Sequence, residues 1–155
     1  MKILVFSDSH GDVENMRRAV ERERPDMVLH LGDGWRDAHA LRRDYPDLPL
    51  AQVPGNCDFR RGEGAVRVLE AEGRRILLCH GHTLGVKMGQ DLLLAEALER
   101  GVDAALFGHT HRPFVELRCG VWLLNPGSIG DYRRPSYGTL LLGDGKIYPS
   151  LWTLD

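Results

Sequence analysis

The apolar positions of this chain follow two alternating patterns in its first third, one strand-like and one helical. Residues 2–6 form an apolar run of strand length that stops at Ser7-Asp8-Ser9. Val13, Met16 and Val20 then recur at helical spacing, with Asp12 placed to cap the helix and Pro25 to end it. A second apolar run, 27–31, closes on Gly32-Asp33-Gly34. Residues 35–44 read as a short helix with Asp37 in its first turn and His39 on its surface, and 48–53 as a third strand closed by Pro54-Gly55. Strand, helix, strand, helix, strand predicts right-handed βαβ units and a parallel sheet. His30 alternates with apolar neighbours, which points to a hydrogen-bonded core histidine.

The middle of the chain changes character. Residues 65–71 and 74–79 flank Glu72-Gly73 and predict a hairpin. Residues 88–100, rich in Leu, Ala and Glu and ending before Gly101, predict a buried helix, and 102–107 another strand. The last third holds several short strands, including a hairpin at Gly143-Asp144-Gly145-Lys146. With no repeat, linker or low-complexity segment, the expectation is one α/β domain over 1–155. It would consist of two packed β-sheets flanked by helices, the first mainly parallel and the second mixed.

Composition narrows the function more than the fold. The 155 residues carry 43% apolar and 27% charged side chains and a net charge of −2. That balance gives no global basic field and no strong nucleic-acid signal. Arginine outnumbers lysine, which reads first as a genomic bias; Arg60, Arg61, Arg112, Arg133 and Arg134 are expected to be solvated. Apolar runs of about five residues exclude a spanning helix, and the N-terminus has no signal-peptide pattern. Cys57, Cys79 and Cys119 are widely spaced without a C-x-x-C pair, so neither a disulfide framework nor a zinc ribbon is indicated. A cytoplasmic setting follows as the default. Cys79 and Cys119 are expected to be small core residues, while Cys57 could serve packing or a site wall equally.

The chemistry gathers at the ends of strands. Asp8 and His10 follow the first strand, Asp33 the second and Asn56 the third; His80 follows the hairpin, and His109 and His111 the strand at 102–107. Ligand sites of open α/β sheets lie at those carboxyl ends. Carboxylate, imidazole and amide oxygen without thiolate suit Mn, Fe, Co, Ni or Zn. Glycines accompany most of these positions: Gly11, Gly32, Gly55, Gly81 and Gly108. Asp58 reads as a loop cap or a partner to a ligating histidine, with the second preferred. His82 reads as a substrate or supporting contact, and Asn125-Pro126-Gly127-Ser128 as a turn beside the site.

The motifs Asp8-Ser9-His10, Gly32-Asp33, Gly55-Asn56-Cys57-Asp58, His80-Gly81-His82 and Gly108-His109-Thr110-His111 occur in this order over residues 8–111. In this set the chain resembles the calcineurin-like metallophosphoesterase superfamily, and most of all its small YfcE-type phosphodiesterases, whose fold the retromer subunit Vps29 shares. The resemblance implies a four-layer αββα sandwich and two divalent transition-metal ions, with Mn foremost. Asp33 would bridge the ions; Asp8, His10 and His111 would complete one site, and Asn56, His80 and His109 the other. It further implies in-line attack on a phosphate-ester substrate by a hydroxide held between the metals. Cys57 departs from the pattern, because many relatives carry a histidine there that protonates the leaving group or contacts phosphate. The rival expectation is a catalytically weak, Vps29-like interaction scaffold, disfavoured because the full ligand set is kept. A metallo-β-lactamase-type zinc hydrolase is set aside because no H-x-H-x-D-H run occurs. The oligomeric state stays open, a homo-oligomer included.

Overall fold

The structure is a computed structural model that describes residues 1–59 and 64–154; Arg60 and Arg61 lie outside the described residues. Among the described residues, ten strands and three α-helices follow in the order β1 (Lys2–Phe6), α1 (Val13–Glu23), β2 (Met27–His30), α2 (Trp35–Asp44), β3 (Leu50–Gln52), β4 (Val66–Ala71), β5 (Arg74–Cys79), α3 (Asp91–Arg100), β6 (Ala104–Leu106), β7 (Phe114–Arg118), β8 (Val121–Asn125), β9 (Ser136–Gly143) and β10 (Lys146–Thr153). One sheet runs β10-β9-β1-β2-β3 and the other β4-β5-β6-β8-β7.

Strand alternation builds the layers. Ile3 and Val5 of β1 and Ile76 and Leu78 of β5 point into one apolar cluster between the sheets. The intervening Leu4 and Phe6 turn outward onto Met16, Ala19 and Val20 of α1 and Leu41 of α2. Leu77 and Cys79 likewise turn outward onto Leu93 and Ala97 of α3. Three apolar interfaces therefore separate four layers, and the period-two pattern of the strands accounts for all of them.

Several expectations hold in detail. The Asp12 carboxylate accepts from the Asn15 backbone N–H at 2.9 Å and caps α1. His30 is buried and fully hydrogen-bonded. Each sheet, however, is mixed to the same degree. In the first, β1, β2 and β3 are parallel, but β9 joins β1 antiparallel and brings β10 with it. In the second, β5, β6 and β8 are parallel, with β4 and β7 antiparallel at the edges. The first sheet is thus less parallel than its opening βαβ pattern suggests, because the C-terminal hairpin returns to it. The helix expected from 88 starts at Asp91, since Gly89 at φ +129° cannot continue an α-helix; residues 82–88 form two short 3-10 turns joined at Gly85 instead. Cys119 is exposed rather than core: it opens the two-residue turn between β7 and β8. No described helix is long and apolar enough to cross a membrane.

Candidate metal centre

The parallel strands bring their carboxyl ends to one edge of the sandwich, where the loops after β1, β2, β3, β5, β6 and β8 meet. Backbone bonds join these loops: the Gly108 N–H donates to the His80 carbonyl at 2.9 Å within the second sheet, and the Ile129 N–H to that of Ser7 at 3.2 Å across the two sheets. Five residues of these loops hold left-handed backbone without being glycine: Asp8 (φ 55°), His10 (44°), Asp33 (58°), His109 (71°) and His111 (62°). Such conformations cost on the order of 1 kcal/mol each and persist only where surrounding contacts enforce them.

Those contacts divide each carboxylate into a held oxygen and a facing oxygen. Asp8 is fully buried. Its Oδ2 accepts from the Ser7 hydroxyl and, at 3.1 Å, from the His109 N–H. Its Oδ1 faces His111 Nε2 at 3.0 Å, His10 Nε2 at 3.7 Å and His80 Nε2 at 3.8 Å. In Asp33, Oδ1 accepts from the Cys57 N–H at 2.8 Å, while Oδ2 faces His80 Nε2 at 3.3 Å and His10 Nε2 at 3.8 Å. Burial opposes ionisation of Asp33, but hydrogen bonds from His80 and from Cys57 outweigh it and hold the carboxyl well below its usual range. Burial likewise pulls against the charged form of His80, yet Asp33 and Asp8 raise its pKa. His109 and His82 are shifted down, first by burial and then by His80.

Two close triads emerge, Asp8-His10-His111 and Asp8-Asp33-His80, each with its ligand atoms within 4.8 Å of one another. Two buried carboxylates this close need compensating cations, and the donors are all oxygen and imidazole nitrogen. The residues therefore fit divalent transition metals. The orienting bonds agree. His80 Nδ1 donates to the Leu31 carbonyl at 2.8 Å, which leaves Nε2 free to ligate. His109 Nδ1 lies 3.2 Å from His80 Nε2, so the two rings turn nitrogens toward the same point. Asn56 stands apart: it is exposed, and its amide contacts Cys57 Sγ at 3.6 Å. The His82 ring lies 5.4 Å from that of His80 and 6.2 Å from that of His109, with Nδ1 buried and unpaired.

A second set of residues holds the loops, and the sequence pattern gave little sign of it. His30 Nδ1 accepts from the Gly32 N–H, so Nε2 donates to Ser9 Oγ at 2.9 Å; Ser9 in turn donates to Asp37 at 2.6 Å, which also accepts from the Gly11 N–H at 2.7 Å. This relay fixes the turn that carries His10. Asp37 is thus a buried loop anchor, beyond the first-turn helix role its position suggests. Asp58 accepts from the backbone N–H groups of Asp33, Gly55 and Trp35, at 2.8, 2.9 and 3.2 Å. In these bonds it acts as a loop cap, one of the two roles its sequence position offers. Asn125 donates to the Gly108 carbonyl and to Thr110, and Ser128 to the Asp8 carbonyl, as a turn beside the site should. Gly55 matters for space: a Cβ there would run into the Asp33 carboxylate.

Comparison with known proteins agrees with this geometry. A family model described as the calcineurin-like phosphoesterase superfamily domain matches residues 1–146. The probable metallophosphoesterase YsnB of Bacillus subtilis is 37% identical over 83% of this chain and 75% of its own length. The phosphodiesterase YfcE of Escherichia coli K12 is 27% identical over 83% of this chain and 79% of its own. Among solved structures, Vps29 of Entamoeba histolytica, crystallised with zinc, superposes with a TM-score of 0.75 at 23% identity and full coverage of both chains; at that identity it speaks for the fold. With its ordered ligand motifs, its four-layer fold and these matches, the chain belongs to the calcineurin-like phosphoesterase superfamily, metal-dependent hydrolases of phosphate esters.

Proposed function

We propose that this protein is a two-metal phosphodiesterase whose ions would share Asp33 as a common ligand. The observation that carries the reading is the division of labour within the two carboxylates: one oxygen of each is fixed by protein donors and the other faces two or more imidazoles. Asp8, His10 and His111 would hold one ion, and His80, His109 and Asn56 the other, once the Asn56 amide turns from Cys57. When bound, the ions supply positive charge for the phosphoryl oxygens and acidify water to near neutral pH.

The chain's own residues do the rest. The Ser9-His30-Asp37 relay and Asp58 hold His10 and Asp33 in place. His80 is oriented by the Leu31 carbonyl. Cys57 is no proton donor of note: burial and then Asp33 push its thiol pKa up, so it stays neutral and gives up its proton reluctantly. Without a stronger acid at this position, the site would favour esters with good leaving groups. His82, half-buried beside the rings of His80 and His109 and assigned to neither ion, would be the imidazole to contact the substrate. The three cysteines are unpaired, which accords with a reducing, cytoplasmic setting. A scaffold function would leave the strained ligand residues and the paired buried carboxylates without a purpose.

The test is a hydrolysis panel on metal-reconstituted protein, with bis-aryl diesters, aryl monoesters, cyclic nucleotides and unactivated diesters. Turnover of aryl diesters with Mn or Ni, lost on chelation, is expected. A folded, doubly loaded protein that cleaves no ester would support the scaffold instead.

A further inference from the structure

A cleft of about 760 Å³ is lined by Val86, Lys87, Phe107, Thr110, Arg112 and Phe114 among others. This is within the roughly 300–1,000 Å³ of small-molecule sites. It adjoins the metal centre through Thr110, the residue between His109 and His111. Burial and then His80 lower the His109 pKa, and the Lys87 charge adds to them, so the ammonium is felt at a ligand itself. Lys87 sits in the 3-10 turn Val86–Met88, bracketed by Gly85 and Gly89 at positive φ, and Arg112 in the loop that leads to β7. Both side chains are exposed.

The polar groups of this cleft are all donors. A neighbouring cleft of about 510 Å³, which takes in His10 and Asp33, is lined by three carboxylates, Asp33, Asp37 and Asp58, and one arginine, Arg36. The Lys87 cleft has two cations and, among the described residues, no carboxylate in its walls. Asp91, the nearest acid along the chain, pairs with Arg118 instead, at 3.4 Å. Thr110 Oγ1 accepts from the Asn125 amide at 2.9 Å and from the Arg112 N–H at 3.2 Å. With both lone pairs used, its own O–H can only donate, and it has no acceptor among the described residues. An ammonium, a guanidinium and a hydroxyl proton in one cleft are the donor set of an oxyanion site. In a chain of net charge −2 this is a local arrangement rather than a consequence of composition.

Resting on the phosphodiesterase reading, we infer that this cleft seats a second anionic group of the substrate, a phosphate or a carboxylate carried on the retained arm of the ester, with Lys87, Arg112 and the Thr110 hydroxyl as specificity-determining residues. Three diesters sharing a 4-nitrophenolate leaving group test it, their retained arms being butyl, 3-carboxypropyl and 3-phosphonopropyl. KM should fall about tenfold from butyl to the preferred anionic arm, since exposed cations each contribute modestly. That preference should shrink as salt is raised. Lys87→Met and Arg112→Gln should each reduce it about threefold, and the double variant should abolish it. Lys146→Met, which removes the same charge from the β9-β10 hairpin, should leave it intact. The anionic arm with the lower KM names the group; equal values for the two assign either oxyanion. Calorimetric titration of the zinc-loaded protein with propylphosphonate and propane-1,3-diphosphonate, with metal content checked afterwards, reads the cleft without turnover. The diphosphonate should bind about tenfold tighter, and the double variant should remove the difference. Equal KM for all three arms, or a preference that the double variant keeps, overturns the inference even if every ester is cleaved. If none is cleaved, the hydrolase reading falls and the titration alone decides the cleft, equal affinity for the two phosphonates being the result against it.

Discussion

The two edges of the sandwich use the same unusual backbone for different ends. At the edge away from the ligands, the hairpins β4-β5, β7-β8 and β9-β10 turn through Glu72-Gly73, Cys119-Gly120 and Asp144-Gly145, both residues of each pair at positive φ. These are turns of the I′ kind, favoured because their twist matches that of the strands, with glycine in one of the two positions. At the metal edge, Asp8, His10, Asp33, His109 and His111 take the same conformation without a sequence reason of that sort. There it is imposed by tertiary hydrogen bonds, and it aims side chains inward at one point. Left-handed backbone is thus turn chemistry at one edge and, on the proposed two-metal reading, a device for presenting ligands at the other. Substitutions at the two edges should therefore differ in kind.

The largest contrast is expected for Asp33→Asn against Glu72→Asn. The first removes the facing carboxylate oxygen; both metal occupancies should fall by elemental analysis, and turnover by orders of magnitude. Asn56→Ala should weaken mainly one site. Glu72→Asn places a residue that tolerates left-handed backbone in an exposed turn, so stability by urea titration should change by about 0.5 kcal/mol or less, with metal content unaltered.

Next comes Cys57→His, which sharpens the metal edge by supplying an acid. General acid catalysis is worth roughly 10²–10⁴-fold. The variant should cleave alkyl esters faster and depend less on leaving-group pKa. Cys57→Ser should keep aryl diester cleavage within about tenfold, since neither group donates a proton readily at neutral pH. A collapse in Cys57→Ser with both metals bound would give the thiol a chemical role.

Asp37→Ala probes whether the relay enforces the backbone at His10. Loss of such supporting partners typically costs roughly 10–100-fold in metal affinity, and titration with Mn or Zn would read it. An unchanged affinity would mean that the Asp8-Ser9-His10 turn holds itself.

The smallest effect is on acid stability. Burial lowers the pKa of His30 from 6.5 to about 4, with the charges of Asp8 and Asp37 offsetting only part of it. Below pH 6.5 the unfolded chain takes up a proton that the folded one refuses until about pH 4. Stability should therefore fall with pH across that window, by about 2 kcal/mol at pH 5 from this group. Urea titrations of metal-free protein at pH 7 and pH 5 check it, and His30→Gln should lack this part of the slope.

Much of this was legible in the sequence where local chemistry and tertiary structure agree. The first βαβ units, the Asp12 cap and the Glu72-Gly73 and Asp144-Gly145 turns are local patterns, and the ligands stand where strands end. Sheet membership of β9 and β10 was not legible, because nothing in an alternating strand names its neighbour. Cys119 was misplaced because a cysteine resembles a core residue unless its Gly120 partner is read as a turn. Ser9 bonds side chains, and Asp37 and Asp58 backbone groups, that lie far along the chain, and no spacing rule marks such a pair.

The account turns on Asp33 joining two ions, and a crystal structure of the manganese-loaded protein with anomalous scattering measures that directly. It should show two peaks roughly 3.5–4 Å apart, with Asp33 Oδ2 between them and Asn56 rotated onto the second. A single peak at full occupancy, or two peaks of which Asp33 touches only one, would contradict the account.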